Sequence, residues 1–133
     1  MLSVLRMSFP FILHILIETP AALAFAVFPS STLSVRQPAA EAVIRQYALL
    51  ILSSNVIAAI FVFHDPNISD GVFLEGRVAA ALALYHVGPL MRAVTRIRND
   101  EGQARPLLEQ PWLHAWVHAV CLVALAGKGM HWW

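Results

Sequence analysis

An all-α integral membrane protein, folded as an antiparallel four-helix bundle, is the fold class that three features of the chain predict. Hydrophobic residues make up 59% of its 133 positions and charged residues only 13%, far from the composition of a soluble domain. The apolar residues fall into four runs, each near the ~20 residues a helix needs to cross a hydrocarbon core. No period-two alternation accompanies them, so a closed β-barrel, the other structure that satisfies its backbone in lipid, is not indicated.

The first span is expected over about residues 8–28. Arg6 followed by an apolar stretch resembles a secretory signal, but the stretch is long and carries His14 and Glu18 in its middle, so a retained span is expected. The second, about 39–63, begins after Pro38. The third, about 72–91, runs into Arg92, Arg96 and Arg98, where the chain should leave the membrane. The fourth, about 112–130, begins after Pro111. Pro29, Pro38, Pro66 and Pro111 punctuate these segments, as residues that begin helices but cannot continue them. The whole chain reads as one transmembrane domain. Ala79, Ala80, Ala81, Ala83 and Gly88 give the third helix a small-residue surface that permits close approach.

Orientation follows from the connecting segments. The third-to-fourth connection carries Arg92, Arg96, Arg98 and Arg105, and the first-to-second carries Arg36, while HDPNISDG between the second and third has no Lys or Arg. The positive-inside rule therefore places the first two connections in the cytoplasm, and the endoplasmic reticulum is the expected membrane. Asn67-Ile68-Ser69 is a glycosylation acceptor pattern on the opposite side, in a loop too short to favour modification. Trp112 and Trp132-Trp133 fit interfacial anchors. A net charge of +1, from 9 basic and 8 acidic residues, gives no electrostatic footprint for nucleic acid. The single cysteine, Cys121, excludes an internal disulfide.

Ionisable side chains are expensive in lipid and usually face a bundle interior or a wet cavity. His14 and Glu18 share one face of the first span. Arg45, Gln46, Tyr47 and Asn55 lie in the second, with Glu41 and Arg45 spaced as a surface pair. On the third, Glu75, Ala79, Leu82 and His86 follow one stripe and Tyr85, Arg92 and Arg96 another, with Glu75 and Arg77 expected at the outer interface. His114, His118, Cys121 and Lys128 follow a stripe on the fourth. Counted inward at about 1.5 Å per residue, Arg45, Tyr85, His86 and His118 reach one level, with Glu18 and Tyr47 within a turn of it. One polar pocket is therefore expected. Glu18, Tyr85, His86, His118 and Arg45 are its candidate catalytic groups, and His14, Tyr47, Asn55, His114 and Trp116 its candidate substrate-binding groups. His114 and His118 resemble half a metal site, yet no HExxH pattern or adjoining acid accompanies them, so no metal is assigned. No glycine-rich phosphate loop, nucleotide fingerprint or nucleophile elbow is present, so no soluble cofactor is expected.

The stretches HILIETPAALAFAVFPS, RQYALLIL, GRVAAALALYHVGPLMRAVTRI and HAWVHA together resemble a family of small fungal integral membrane proteins with four predicted spans. Some proteins of that kind occur beside natural-product biosynthetic genes, and the resemblance thus implies a lipophilic metabolite as substrate or cargo. It assigns no catalytic residue. A looser likeness is to sterol-isomerase-like membrane folds, in which acidic and imidazole groups move protons on an apolar ligand.

The function expected is a membrane-embedded enzyme that performs proton transfer, as in isomerisation, dehydration or cyclisation, on a small lipophilic metabolite. His86 or His118 is the expected general base or acid, Glu18 its partner acid, and Tyr85 or Arg45 the group that stabilises developing negative charge. The rival is a non-catalytic scaffold or auxiliary subunit for other membrane-bound enzymes, its polar residues serving helix association. Expected partners are the lipophilic ligand and membrane lipids, with a second membrane protein or a second copy of the chain compatible with either function.

Overall fold

The computed structural model of the chain describes residues 2–63, 71–99, 107 and 110–130, and all its regular elements there are helical. In order these are α1 (Leu2–Val27), a 3-10 turn (Pro29–Thr32), α2 (Pro38–Val62), α3 (Gly71–Arg98) and α4 (Pro111–Gly129). Pro29, Pro38 and Pro111 each stand in the first turn of the element they open, where the missing N–H is no loss. The loop bearing Pro66 and Asn67-Ile68-Ser69, the basic Arg105, and Trp132-Trp133 lie outside the described residues.

Two helices are longer than expected. α1 starts at Leu2, not near residue 8, and passes through Pro10 and Pro20. α3 continues through Pro89 to Arg98, so the basic run is helical. Its 28 residues extend about 42 Å, well beyond a hydrocarbon core of roughly 30 Å. By length and apolarity three helices can cross a membrane, over Phe9–Val27, Pro38–Val62 and Phe73–Arg98. α4, expected as a fourth, is not among them. Its 19 residues equal the length of Phe9–Val27, but His114, His118 and Lys128 lower its apolarity.

The chain divides into two compact units, one formed by Met1–Pro10 with Asp65–Trp133 and the other by Phe11–His64. In the second unit α1 and α2 run antiparallel. Phe11 stacks on Phe61 with ring centroids 5.5 Å apart, and about four turns along Phe25 meets Tyr47 at 5.9 Å. In the first unit α3 and α4 are likewise antiparallel, because Glu75 near the start of α3 meets Lys128 near the end of α4.

Gly129 marks a close approach of α4 to α3. A Cβ there would lie 3.0 Å from the Ala80 Cβ and 3.2 Å from the Gly76 carbonyl oxygen, so any side chain larger than glycine's would have to push α3 back by a few tenths of an ångström. Gly88, also expected at a close contact, would place its Cβ within 4 Å of nothing among the described residues. The outward faces of the helices carry many large apolar side chains. Phe63 is 86% exposed and Leu84 72%, with Leu16, Leu50 and Trp116 each at 67%. Apolar surface on that scale is what lipid, not water, tolerates.

Candidate functional site

In the α3/α4 unit the stripe Glu75, Ala79, Leu82 and His86 is buried along its whole length, because residues three and four apart stack on one helix face. His86 lies level with His118 of α4, and their Nδ1 atoms are 3.0 Å apart, with ring centroids 5.3 Å apart and planes inclined by 42°. His86 is fully buried and His118 half-buried. Tyr85 presents its ring edgewise to His86 at 5.2 Å. Pro89 has no N–H to give to the carbonyl of residue 85, one turn back, so the helix is locally loosened beside the histidine.

Two imidazole nitrogens at hydrogen-bond distance hold one hydrogen between them, so one Nδ1 donates and the other accepts. In the neutral couple the donating ring then carries a bare Nε2 and the accepting ring an Nε2–H. The pair thus offers a base and an acid at once. A proton taken up at the bare Nε2 can be matched by passage of the shared hydrogen and release from the far Nε2. A metal ion on both Nδ1 atoms would displace that hydrogen.

The α1/α2 unit carries a second set of polar contacts. The Ser54 hydroxyl donates to the Ile51 carbonyl at 2.8 Å, so its hydrogen is committed within α2. It must therefore accept from the fully buried His14, whose Nε2 is 3.1 Å away, which assigns the hydrogen of that ring to Nε2. Thr19 behaves alike, its hydroxyl donating to the Ile15 carbonyl at 2.7 Å and accepting from Asn55 Nδ2 at 3.1 Å. The buried Asn55 Oδ1 has no hydrogen-bond partner among the described residues. Glu18 is buried in the same unit, 1% exposed.

Several expected placements change. Tyr47 lies opposite Phe25 and Asn55 opposite Thr19, so Tyr47 is about 10 Å along the helix from the level of Glu18, not within a turn of it. The connection from Phe28 to Gln37 contains a 3-10 turn and extended residues, which offsets the register that a symmetric loop would give. Arg45 is exposed on α2, and Glu41 pairs with Arg36, Nε to Oε1 3.2 Å, instead of with Arg45. His114 and Trp116 are exposed on α4. Glu75, expected at the outer interface, is 3% exposed and stands 2.7 Å from the Lys128 ammonium, itself 5% exposed. Arg77 is exposed as expected.

Ser54 and Thr19 are not legible as site residues in the sequence, since a lone hydroxyl in an apolar run satisfies its own helix. The Glu75–Lys128 pair has a signal: opposite charges at matching ends of antiparallel neighbours. No protein-family model, curated protein or solved structure matches this chain.

Proposed function

We propose that the chain is an integral membrane enzyme that moves a proton on a small lipophilic molecule, with His86 and His118 as the acid–base couple. Support comes from one observation above others: the 3.0 Å contact between the two Nδ1 atoms, held in an apolar hairpin. A couple that is base at one end and acid at the other suits a 1,3-proton shift, which removes a proton from one carbon and returns one to another without net change. Isomerisation is therefore favoured over dehydration, which releases water, and over cyclisation. Tyr85, in ring contact with His86, carries a hydroxyl that can donate a hydrogen bond to negative charge developing on a carbonyl oxygen. The apolar helix faces support a lipophilic ligand, the class that the resemblance to small fungal membrane proteins would imply.

Proton transfer leaves an isotopic signature that can be read while the substrate is still unidentified. Microsomes containing the protein, incubated in deuterium oxide with the lipophilic extract of the native host, are expected to wash deuterium into one extracted compound, read by mass spectrometry. His86→Ala and His118→Ala at matched protein levels should each slow that exchange by about 10²-fold or more. Equal labelling with wild type, either variant and empty microsomes would leave the scaffold as the surviving function.

A further inference from the structure

We propose that the buried Glu75–Lys128 ion pair is the register key of the α3/α4 unit and positions His86 opposite His118, an inference that rests on the proton-transfer function assigned to that couple. The two helices meet along small residues. Gly76, Ala79 and Ala83 of α3 are buried, as are Ala124 and Gly127 of α4, and Gly129 packs against Ala80 and the Gly76 carbonyl. Such a seam allows close approach but specifies axial position poorly. Where Ala79 and Ala83 stand one turn apart, a slide of about 5.4 Å exchanges one small side chain for another.

The charges remove that freedom. Glu75 Oε2 and Lys128 Nζ are 2.7 Å apart with side chains 4% and 6% exposed. A slide would strand both in apolar surroundings, the arrangement for which buried ions incur their largest penalty. The helix ends reinforce the polarity of the pair, since Glu75 lies in the second turn of α3 and Lys128 in the last turn of α4. Glu75 and His86 are eleven positions apart, Lys128 and His118 ten, or about 16 and 15 Å along their helices. Pairing at one end therefore brings the imidazoles level at the other. A buried ion pair adds little net stability over an apolar pair of the same size, and its best-attested use is to single out one register.

The test is a through-hydrogen-bond nitrogen–nitrogen coupling between the two Nδ1 atoms, read by NMR on the full chain with ¹⁵N-labelled histidine in micelles. Wild type and the conservative Lys128→Arg are expected to show it. The double variant Glu75→Met with Lys128→Met removes both charges together, and loss of the coupling at unchanged helical content is the expected result. Disulfide trapping in native membranes gives a second measurement in a Cys121→Ser background. Ala79→Cys with Ala124→Cys reports the native register, and Ala83→Cys with Ala124→Cys a slip of one turn. The slipped cross-link should form only when Glu75 and Lys128 are both Met. Undiminished coupling in the double variant, or no gain of the slipped cross-link, would overturn the register key alone. A coupling missing from wild type would overturn the shared hydrogen, and the proposed function with it.

Discussion

Hydrogen-bond direction at single residues decides which side chains are replaceable. His14 Nε2–H depends on Ser54 as its acceptor, because the Ser54 hydrogen is already given to Ile51. Ser54→Ala leaves that donor unmatched and is expected to lower stability in detergent by about 1 kcal/mol, measured by thermal unfolding. Asn55 presents the opposite case. Its Oδ1 has no hydrogen-bond partner among the described residues, and Thr19 keeps its bond to Ile15 without it. Asn55→Leu should therefore fall within about 0.5 kcal/mol of wild type or above it. A larger loss than at Ser54 would mean that the orphan acceptor is filled by a ligand or a water. His14, Glu18, Asn55, His86 and His118 all stand out in the chain as polar groups in apolar runs. Their hydrogen-bond directions do not, because a donor's partner is chosen by the opposing helix.

At the level of the helices, two glycines make opposite predictions. Gly129→Ala would drive a Cβ against the Ala80 Cβ and a backbone oxygen, neither of which can move without its helix, so a loss of about 1–3 kcal/mol is expected. Gly88→Ala meets open space and gains helix propensity, so a change between zero and about +1 kcal/mol is expected, read in the same unfolding assay. A similar loss at both sites would place the tight contact elsewhere. The buried stripe of α3 is legible from spacing alone, since Glu75, Ala79, Leu82 and His86 recur at helical intervals. Spacing misplaces Glu75 itself, because its nearness to a span end says nothing of the charge waiting on α4. The α1/α2 register is equally hidden. It depends on the conformation of residues 28–37, a 3-10 turn followed by extended chain, which no hydrophobic period encodes.

For the molecule as a whole, three helices of spanning length with outward Leu, Val, Ile and Phe predict that the protein stays with the membrane on alkaline extraction. Release into the aqueous fraction would exclude the integral reading. If the loop charges orient the chain as the positive-inside rule expects, with the Arg36 and Arg92–Arg98 ends cytoplasmic in the endoplasmic reticulum, an acceptor tag inserted at residues 64–70 should be glycosylated and one at residues 33–36 should not. The reverse pattern would invert the topology. α4 is the helix on which the span count turns, because the residues that make it chemically interesting, His114, His118 and Lys128, are those that lower its apolarity.

The chain by itself determined its helices, their apolar character and the inventory of polar groups, since length, hydrophobic period and proline placement act locally and need no partner. Only the tertiary structure decided that His86 and His118 share one hydrogen, that Lys128 answers Glu75, and that Tyr47 faces Phe25. These are pairings across antiparallel helices, and their register is set by loop geometry and by which buried charges find each other.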